Sequence, residues 1–97
     1  MDLLSISQIN EHLEKLSDWN LEDNGKSIAK NFEFEDFKQA IAFVNKVAEI
    51  AEALSHHPNI NLHGYNKVNI SSSTHSAGGL TEKDFKVASE IDKLWSK

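Results

Sequence analysis

The segment from Phe37 to Leu54 constrains this chain more than any other. Phe37, Ala40, Ile41, Phe43, Val44, Val47, Ala48, Ile50, Ala51 and Leu54 recur with a helical period. At roughly 100° per residue they cover about half of the helical wheel. A helix resting on one sheet face needs a narrower stripe. The surplus predicts that this helix also packs against another, from the same chain or from a second subunit. Directly after it stands Ser55-His56-His57-Pro58. Proline disfavours the α region in the residue before it, so the helix must stop here. Its end carries two adjacent histidines.

The flanks supply the layer that the helix needs. Ile9, Leu13 and Leu16 share one face of a short first helix over Ser7 to Leu16, which Ser5 or Ser7 can cap. Trp19-Asn20-Leu21 reads as a strand, and Glu22-Asp23-Asn24-Gly25 as a hairpin turn, because Asn-Gly tolerates positive φ. Ile28, Phe32 and Phe34 then alternate as a strand with one face on a core. Lys30 interrupts that face and is predicted to lie near an edge and snorkel. After Pro58, Asn59 to Leu62 alternates, His63-Gly64 turns, and Val68-Asn69-Ile70 runs into Ser71-Ser72-Ser73-Thr74. Thr81-Glu82-Lys83-Asp84 resembles a capping box that opens a last helix, with Phe85, Ala88, Ile91 and Leu94 or Trp95 turned inward. The order is α-β-β-α-β-β-α. This predicts an α+β fold, an antiparallel sheet with its helices gathered on one face, in a single domain over residues 1–97.

Charge and composition remove several functions. Fifteen acidic against ten basic residues give a net charge of −5, unfavourable for binding a phosphate backbone, so no nucleic acid is expected. The absence of cysteine excludes disulfides, thiolate metal sites and thiol nucleophiles. Met1 to Ser5 reads as no signal peptide and no apolar run reaches bilayer length, so the expectation is a cytoplasmic protein away from membranes.

What remains is a group of imidazoles. His56 and His57 end the long helix, where the macrodipole favours a cation. His75 follows the serine and threonine run. Histidine exchanges protons near neutrality, which suits general acid–base chemistry. Consecutive helical side chains diverge, so the two adjacent rings cannot perform one job. The polar run Ser71-Ser72-Ser73-Thr74 beside histidines, Ser73 and Thr74 included, suits a wall that hydrogen-bonds a ligand. His12 and His63 read as surface residues, Asp84 as a capping carboxylate, and Glu52 as lying on the polar side of its helix. A zinc site is disfavoured, since no H-x-x-x-H or H-x-H pattern is present. No nucleophile-elbow serine stands beside a histidine either.

The spacing of these residues resembles the pterin-4a-carbinolamine dehydratase family. Its pattern is an acidic residue, three positions, His-His-Pro, five or six positions, an aromatic, nine positions, His, and then Asp. Here it reads Glu52, His56-His57-Pro58, Tyr65, His75 and Asp84, spread over 33 positions. Tyr65-Asn66-Lys67-Val68, Gly79-Leu80-Thr81-Glu82 and Phe32-x-Phe34-x-x-Phe37 extend the likeness over nearly the whole chain. The resemblance implies a four-stranded antiparallel sheet with three helices, assembled as a homodimer or homotetramer. It implies dehydration of 4a-hydroxytetrahydrobiopterin to quinonoid dihydropterin with no cofactor, recycling the pterin of aromatic amino acid hydroxylases. His56 and His75 are then the expected acid–base residues, with His57 beside them mainly binding the pterin. Glu52, Pro58, Ser73, Thr74 and Asp84 complete the expected substrate site, Glu52 by orienting a histidine. Relatives can carry an acidic residue directly before the histidine pair; this chain has Ser55. Two rival readings follow from the same likeness: a dimerisation or regulatory binding module, and an enzyme for a different pterin, linked to molybdenum cofactor metabolism.

Overall fold

The structure, a computed structural model, describes residues 2–95. Helix α1 spans Ile6–Glu14, strands β1 and β2 span Asn20–Glu22 and Ser27–Glu33, and helix α2 spans Phe37–Leu54. Strands β3 and β4 span Asn59–His63 and Lys67–Ser72, and helix α3 spans Glu82–Leu94. The four strands form one antiparallel sheet in the order β1-β2-β4-β3. Both hairpins are as expected. Asp23 and Asn24 take φ of 55° and Gly25 takes 84°, the left-handed geometry that a tight β1–β2 turn demands.

Register decides which side chains meet the helices. Ile28 pairs with Ser72, Lys30 with Ile70, and Phe32 with Val68, while Ile60 and Leu62 of β3 fall opposite Ile70 and Val68. Side chains alternate along a strand, so all of these share the face that the helices cover. Ala40, Phe43, Val47 and Ala51 of α2, and Phe85, Val87, Ala88 and Ile91 of α3, close over it. One end of this core is aromatic: Phe32 and Phe43 lie 4.8 Å apart, and Trp95 meets Phe32 edge-on at 5.1 Å. The other end of β4 presents Ser72, fully enclosed at 2% exposure. The core thus runs from apolar to polar along one strand, and the polar end lies under the end of α2.

Two expectations change. Lys30 is on an interior strand and is buried, because its Nζ lies 3.0 Å from Asp92 Oδ1 and 5.0 Å over the Phe32 ring. Trp19 Nε1 donates to the same carboxylate at 3.0 Å, so the charge is compensated within the core and no snorkelling is needed. His12 is half-buried and stacks on Phe85 at 4.8 Å. Of the alternatives at the end of α3, Trp95 packs inward and Leu94 stays exposed. The broad apolar arc of α2 is covered only in part: Phe37 and Ile41 remain exposed. Among the described residues no helix is long and apolar enough to cross a membrane.

Candidate active site

The site begins with the way α2 ends. Ser55 takes a left-handed conformation, φ 53° and ψ 41°. Its N–H donates to Glu52 O at 3.2 Å, and the His56 N–H donates to Ala51 O at 3.0 Å. These are the paired bonds of a Schellman cap, which satisfies two carbonyls at the helix end. The helix therefore stops before the histidine pair, and both rings stand on the chain leaving it. The reversal sends the two imidazoles in different directions.

His56 turns inward and is 9% exposed. Its Nε2 lies 2.7 Å from Asp84 Oδ1. Asp84 is fully buried in the first turn of α3, where Thr81 and Asp84 form the expected capping box: the Thr81 N–H donates to Asp84 Oδ2 at 2.9 Å. The carboxylate takes two more bonds, from Ser72 Oγ to Oδ1 at 2.6 Å and from Thr74 Oγ1 to Oδ2 at 2.7 Å. Thr74 Oγ1 lies 2.9 Å from Thr81 Oγ1. Strand β4, helix α3 and the α2 exit thus converge on one buried carboxylate. An anion in such a place is tolerable because every acceptor direction is met by a donor and because it lies at a helix N-terminus.

His57 turns outward. Its Nε2 sits 2.5 Å from Glu52 Oε2, and both side chains are largely exposed. His75 reaches the site by another route. Past β4, Thr74 pairs with Gly79, its N–H donating to Gly79 O at 2.8 Å, and the loop between them winds into a single 3-10 turn, His75–Ala77. Gly78, at φ 77°, closes that turn in a conformation that a side chain would strain. Ser73 Oγ donates to Lys26 O at 2.7 Å and ties the loop to the β1–β2 hairpin.

A cavity of about 360 Å³ opens between these segments, lined by Ser55, His56, His57, Ser73, Thr74, His75, Ser76 and Lys83. The three histidines nominated from sequence therefore face one space, with Ser73 and Thr74 as its wall. A second depression of about 310 Å³, lined in part by Lys26, Asn59 and Ser71, shares Ser73 and His75 with the first. Glu52, Pro58 and Asp84 are not on the cavity wall. Glu52 holds His57 from outside, Pro58 is half-buried, and Asp84 stands behind His56. Sequence reasoning put Ser72 in the polar run of the ligand wall and missed its inward partner, although Val68, Ile70 and Ser72 follow one strand period. A hydroxyl at the next core-facing position must find a buried partner. Lys83 at the cavity was missed as well, since a charged residue in a first helical turn carries no local signal.

Donor and acceptor roles follow from the geometry. With Nε2 of His56 on the carboxylate, Nδ1 is the ring nitrogen left for a ligand. The His75 ring is exposed and has no side-chain hydrogen-bond partner among the described residues, so both of its nitrogens are left for a ligand. The cavity thus joins one imidazole backed by a buried carboxylate to another free to exchange protons. It suits a reaction that needs a proton delivered and a proton removed on a molecule the size of a bicyclic ring.

Comparison with known proteins gives the family. The family model described as pterin 4 alpha carbinolamine dehydratase matches residues 2–94. A protein of Chloroflexus aggregans, provisionally named pterin-4-alpha-carbinolamine dehydratase, is 50% identical over 97% of this chain and 98% of its own length. One from Sulfurisphaera tokodaii with the same provisional name is 44% identical over 97% and 98%. Among solved structures, a transcriptional coactivator/pterin dehydratase from Brucella melitensis superposes with a TM-score of 0.87 at 37% identity, covering 94% of this chain and 96% of that one. A pterin dehydratase-like protein described as a RuBisCO assembly factor in the alpha-carboxysome gives 0.71 at 28% identity, covering 84% and 93%. Fold, histidine spacing and whole-length similarity coincide, and the chain belongs to the pterin-4-alpha-carbinolamine dehydratase family.

Proposed function

We propose that this protein is a hydro-lyase that converts 4a-hydroxytetrahydrobiopterin to quinonoid dihydropterin and water. The observation that carries the proposal is the shared cavity, in which His56, held by a buried carboxylate, and His75, whose ring has no side-chain partner among the described residues, face the same space. The substrate bears a hydroxyl on the carbon that also carries a ring nitrogen. His56 gives a proton from Nδ1 to that hydroxyl, the C–O bond breaks as water leaves, and the nitrogen lone pair forms the C=N bond. His75 removes the proton from the nitrogen, and solvent returns the imidazoles to their starting states. His57, oriented by Glu52, binds the pterin from the rim, and Ser73 and Thr74 form the wall against it. No cofactor enters this scheme.

The product would feed an aromatic amino acid hydroxylase in the cytoplasm, with residues 1–97 acting as one domain. The exposed Phe37 and Ile41 of α2 favour burial in a homodimer or homotetramer, which light scattering would read directly. The same apolar row supports a second reading, a regulatory binding module, since one structural neighbour is described as a transcriptional coactivator/pterin dehydratase and the other as a RuBisCO assembly factor. A third, within the same chemistry, is a different pterin, such as one of molybdenum cofactor metabolism. Stopped-flow measurement of freshly generated 4a-hydroxytetrahydrobiopterin separates them. Acceleration over the uncatalysed rate, lost in both His56→Ala and His75→Ala, is expected. No acceleration rejects the dehydratase reading in favour of the binding module, and faster turnover of another pterin carbinolamine moves the substrate.

A further inference from the structure

Behind His56 lies a set of hydroxyls whose bonds all run in one direction. The Thr81 N–H can only donate, and it donates to Asp84 Oδ2. Thr81 Oγ1 itself accepts from the Lys83 N–H at 3.3 Å, so its own hydrogen is available to Thr74 Oγ1, 2.9 Å away. Thr74 is then an acceptor on that side and gives its hydrogen to Asp84 Oδ2. Ser72 gives its hydrogen to Oδ1. Before His56 is considered, Asp84 already receives three donations, and the bond to Nε2 makes four. Donors of this kind stabilise a carboxylate more than a neutral acid.

We infer that Thr74 and Ser72 are positioning residues for His56, acting through Asp84: by holding that carboxylate as an acceptor, they keep a proton on His56 Nε2 whether the ring is neutral or cationic. The inference rests on the reading of His56 as the acid. When the ring takes up its second proton, two arrangements with the same total charge compete. In one, the ring is an imidazolium beside a carboxylate, and Nδ1 carries an acidic proton into the cavity. In the other, the Nε2 proton has passed to Asp84, and the ring is a neutral imidazole with Nδ1–H, a far weaker acid. The two hydroxyls favour the first arrangement, because only the ionised carboxylate accepts strongly from both. The other titratable groups at the cavity are His57, His75 and Lys83, and none of them is bonded to Asp84. Neither hydroxyl needs to touch substrate to act this way, and the Thr74 hydroxyl is already engaged.

The test reads the ring directly. In ligand-free, nitrogen-15-labelled protein, two-bond proton–nitrogen spectra of His56 followed across its titration should show Nε2 protonated on both sides of the transition. In Thr74→Val, Nε2 should gain unprotonated character over part of the range. Its kcat should fall by about tenfold to a hundredfold, the size of effect typical of groups that orient a functional histidine, with KM little changed. Thr74→Ser, which restores the hydroxyl, should restore both. Parent-like spectra and kcat in Thr74→Val would overturn the inference. Should Thr74→Val not fold, Ser72→Ala is read in the same spectra, and an unchanged Nε2 there overturns it equally. The spectra need no substrate, so a parent protein inactive on pterins would reject the dehydratase reading while Nε2 still decides this one.

Discussion

His56 and His57 are neighbours in sequence, and each sets Nε2 against a carboxylate, yet the two pairs differ in kind. His57 meets Glu52, five positions back, with the side chains 64% and 76% exposed. His56 meets Asp84, 28 positions on, with the side chains 10% and 0% exposed. In water the attraction is screened, and ordering two side chains costs nearly as much as it returns, so a pair like the first contributes about 0–1 kcal/mol. Behind His56 no water competes, and three further donors take the place of solvent around the carboxylate. The carboxylate close by in sequence is therefore the weaker partner. Depth and the number of donors decide which histidine is held in one orientation.

Removing the buried partner should give the largest effect. Asp84→Ala strips four donors of their acceptor and removes the reciprocal half of the α3 capping box, and breaking a buried pair of this kind costs about 3–5 kcal/mol. Denaturant unfolding should show that loss, and turnover measured on the folded fraction should fall on the order of a hundredfold or more as His56 loses its orientation. A variant with parental stability would mean that the buried pair is no stronger than the exposed one, and the contrast would fail.

The next effect separates the rings themselves. His56→Ala and His75→Ala should each lower kcat by about a hundredfold to ten-thousandfold, the usual contribution of a positioned acid or base. His57→Ala should act mainly on KM, because a rim residue binds without exchanging the proton. Equal losses of kcat in all three would place His57 in the chemistry and erase the distinction between inward and outward rings.

The sequence made the outward half of this contrast legible and left the inward half obscure, for physical reasons. The long helix, the Asn24-Gly25 hairpin and the Thr81 capping box are local: their signals lie within a few residues of what they form. Glu52 and His57 share one helix end, so their meeting was foreseeable. The His56–Asp84 pair depends on strand register, which carries Ser72 onto the core face, and on where α3 docks. Asp84 was correctly expected to be a cap, but the cap uses only Oδ2, and the other oxygen reaches His56. The absence of an acidic residue at position 55 loses its force for the same reason. Lys30 followed the same logic: its place in the apolar pattern was plain, and its partner, Asp92, came from the far end of the chain.

A smaller effect tests the outward pair. Glu52→Gln keeps the shape and removes the charge, and should cost less than about 1 kcal/mol, a difference that shrinks as salt is added. Its effect on KM should be a few-fold at most (on the order of the His57 contribution scaled by a screened pair). A loss as large as that of Asp84→Ala would show that exposure does not set the worth of these pairs.

The smallest effect sets the baseline for exposed charges. Glu90 Oε2 lies 3.0 Å from Lys93 Nζ and 3.5 Å from Lys86 Nζ on the outer face of α3. The hydrogen bond from Lys93, then its charge, with Lys86 adding to both, holds the Glu90 carboxyl below its ordinary value. A lowered carboxyl stabilises the folded state above its unfolded value, and that contribution disappears as the pH falls through the folded one. Glu90→Gln should therefore differ slightly from the parent at neutral pH and converge with it in acid. Melting curves of Glu90→Gln and Glu52→Gln at neutral pH should be displaced by similar small amounts. If Glu52→Gln moves much further, the His57 pair draws on more than screened surface charge.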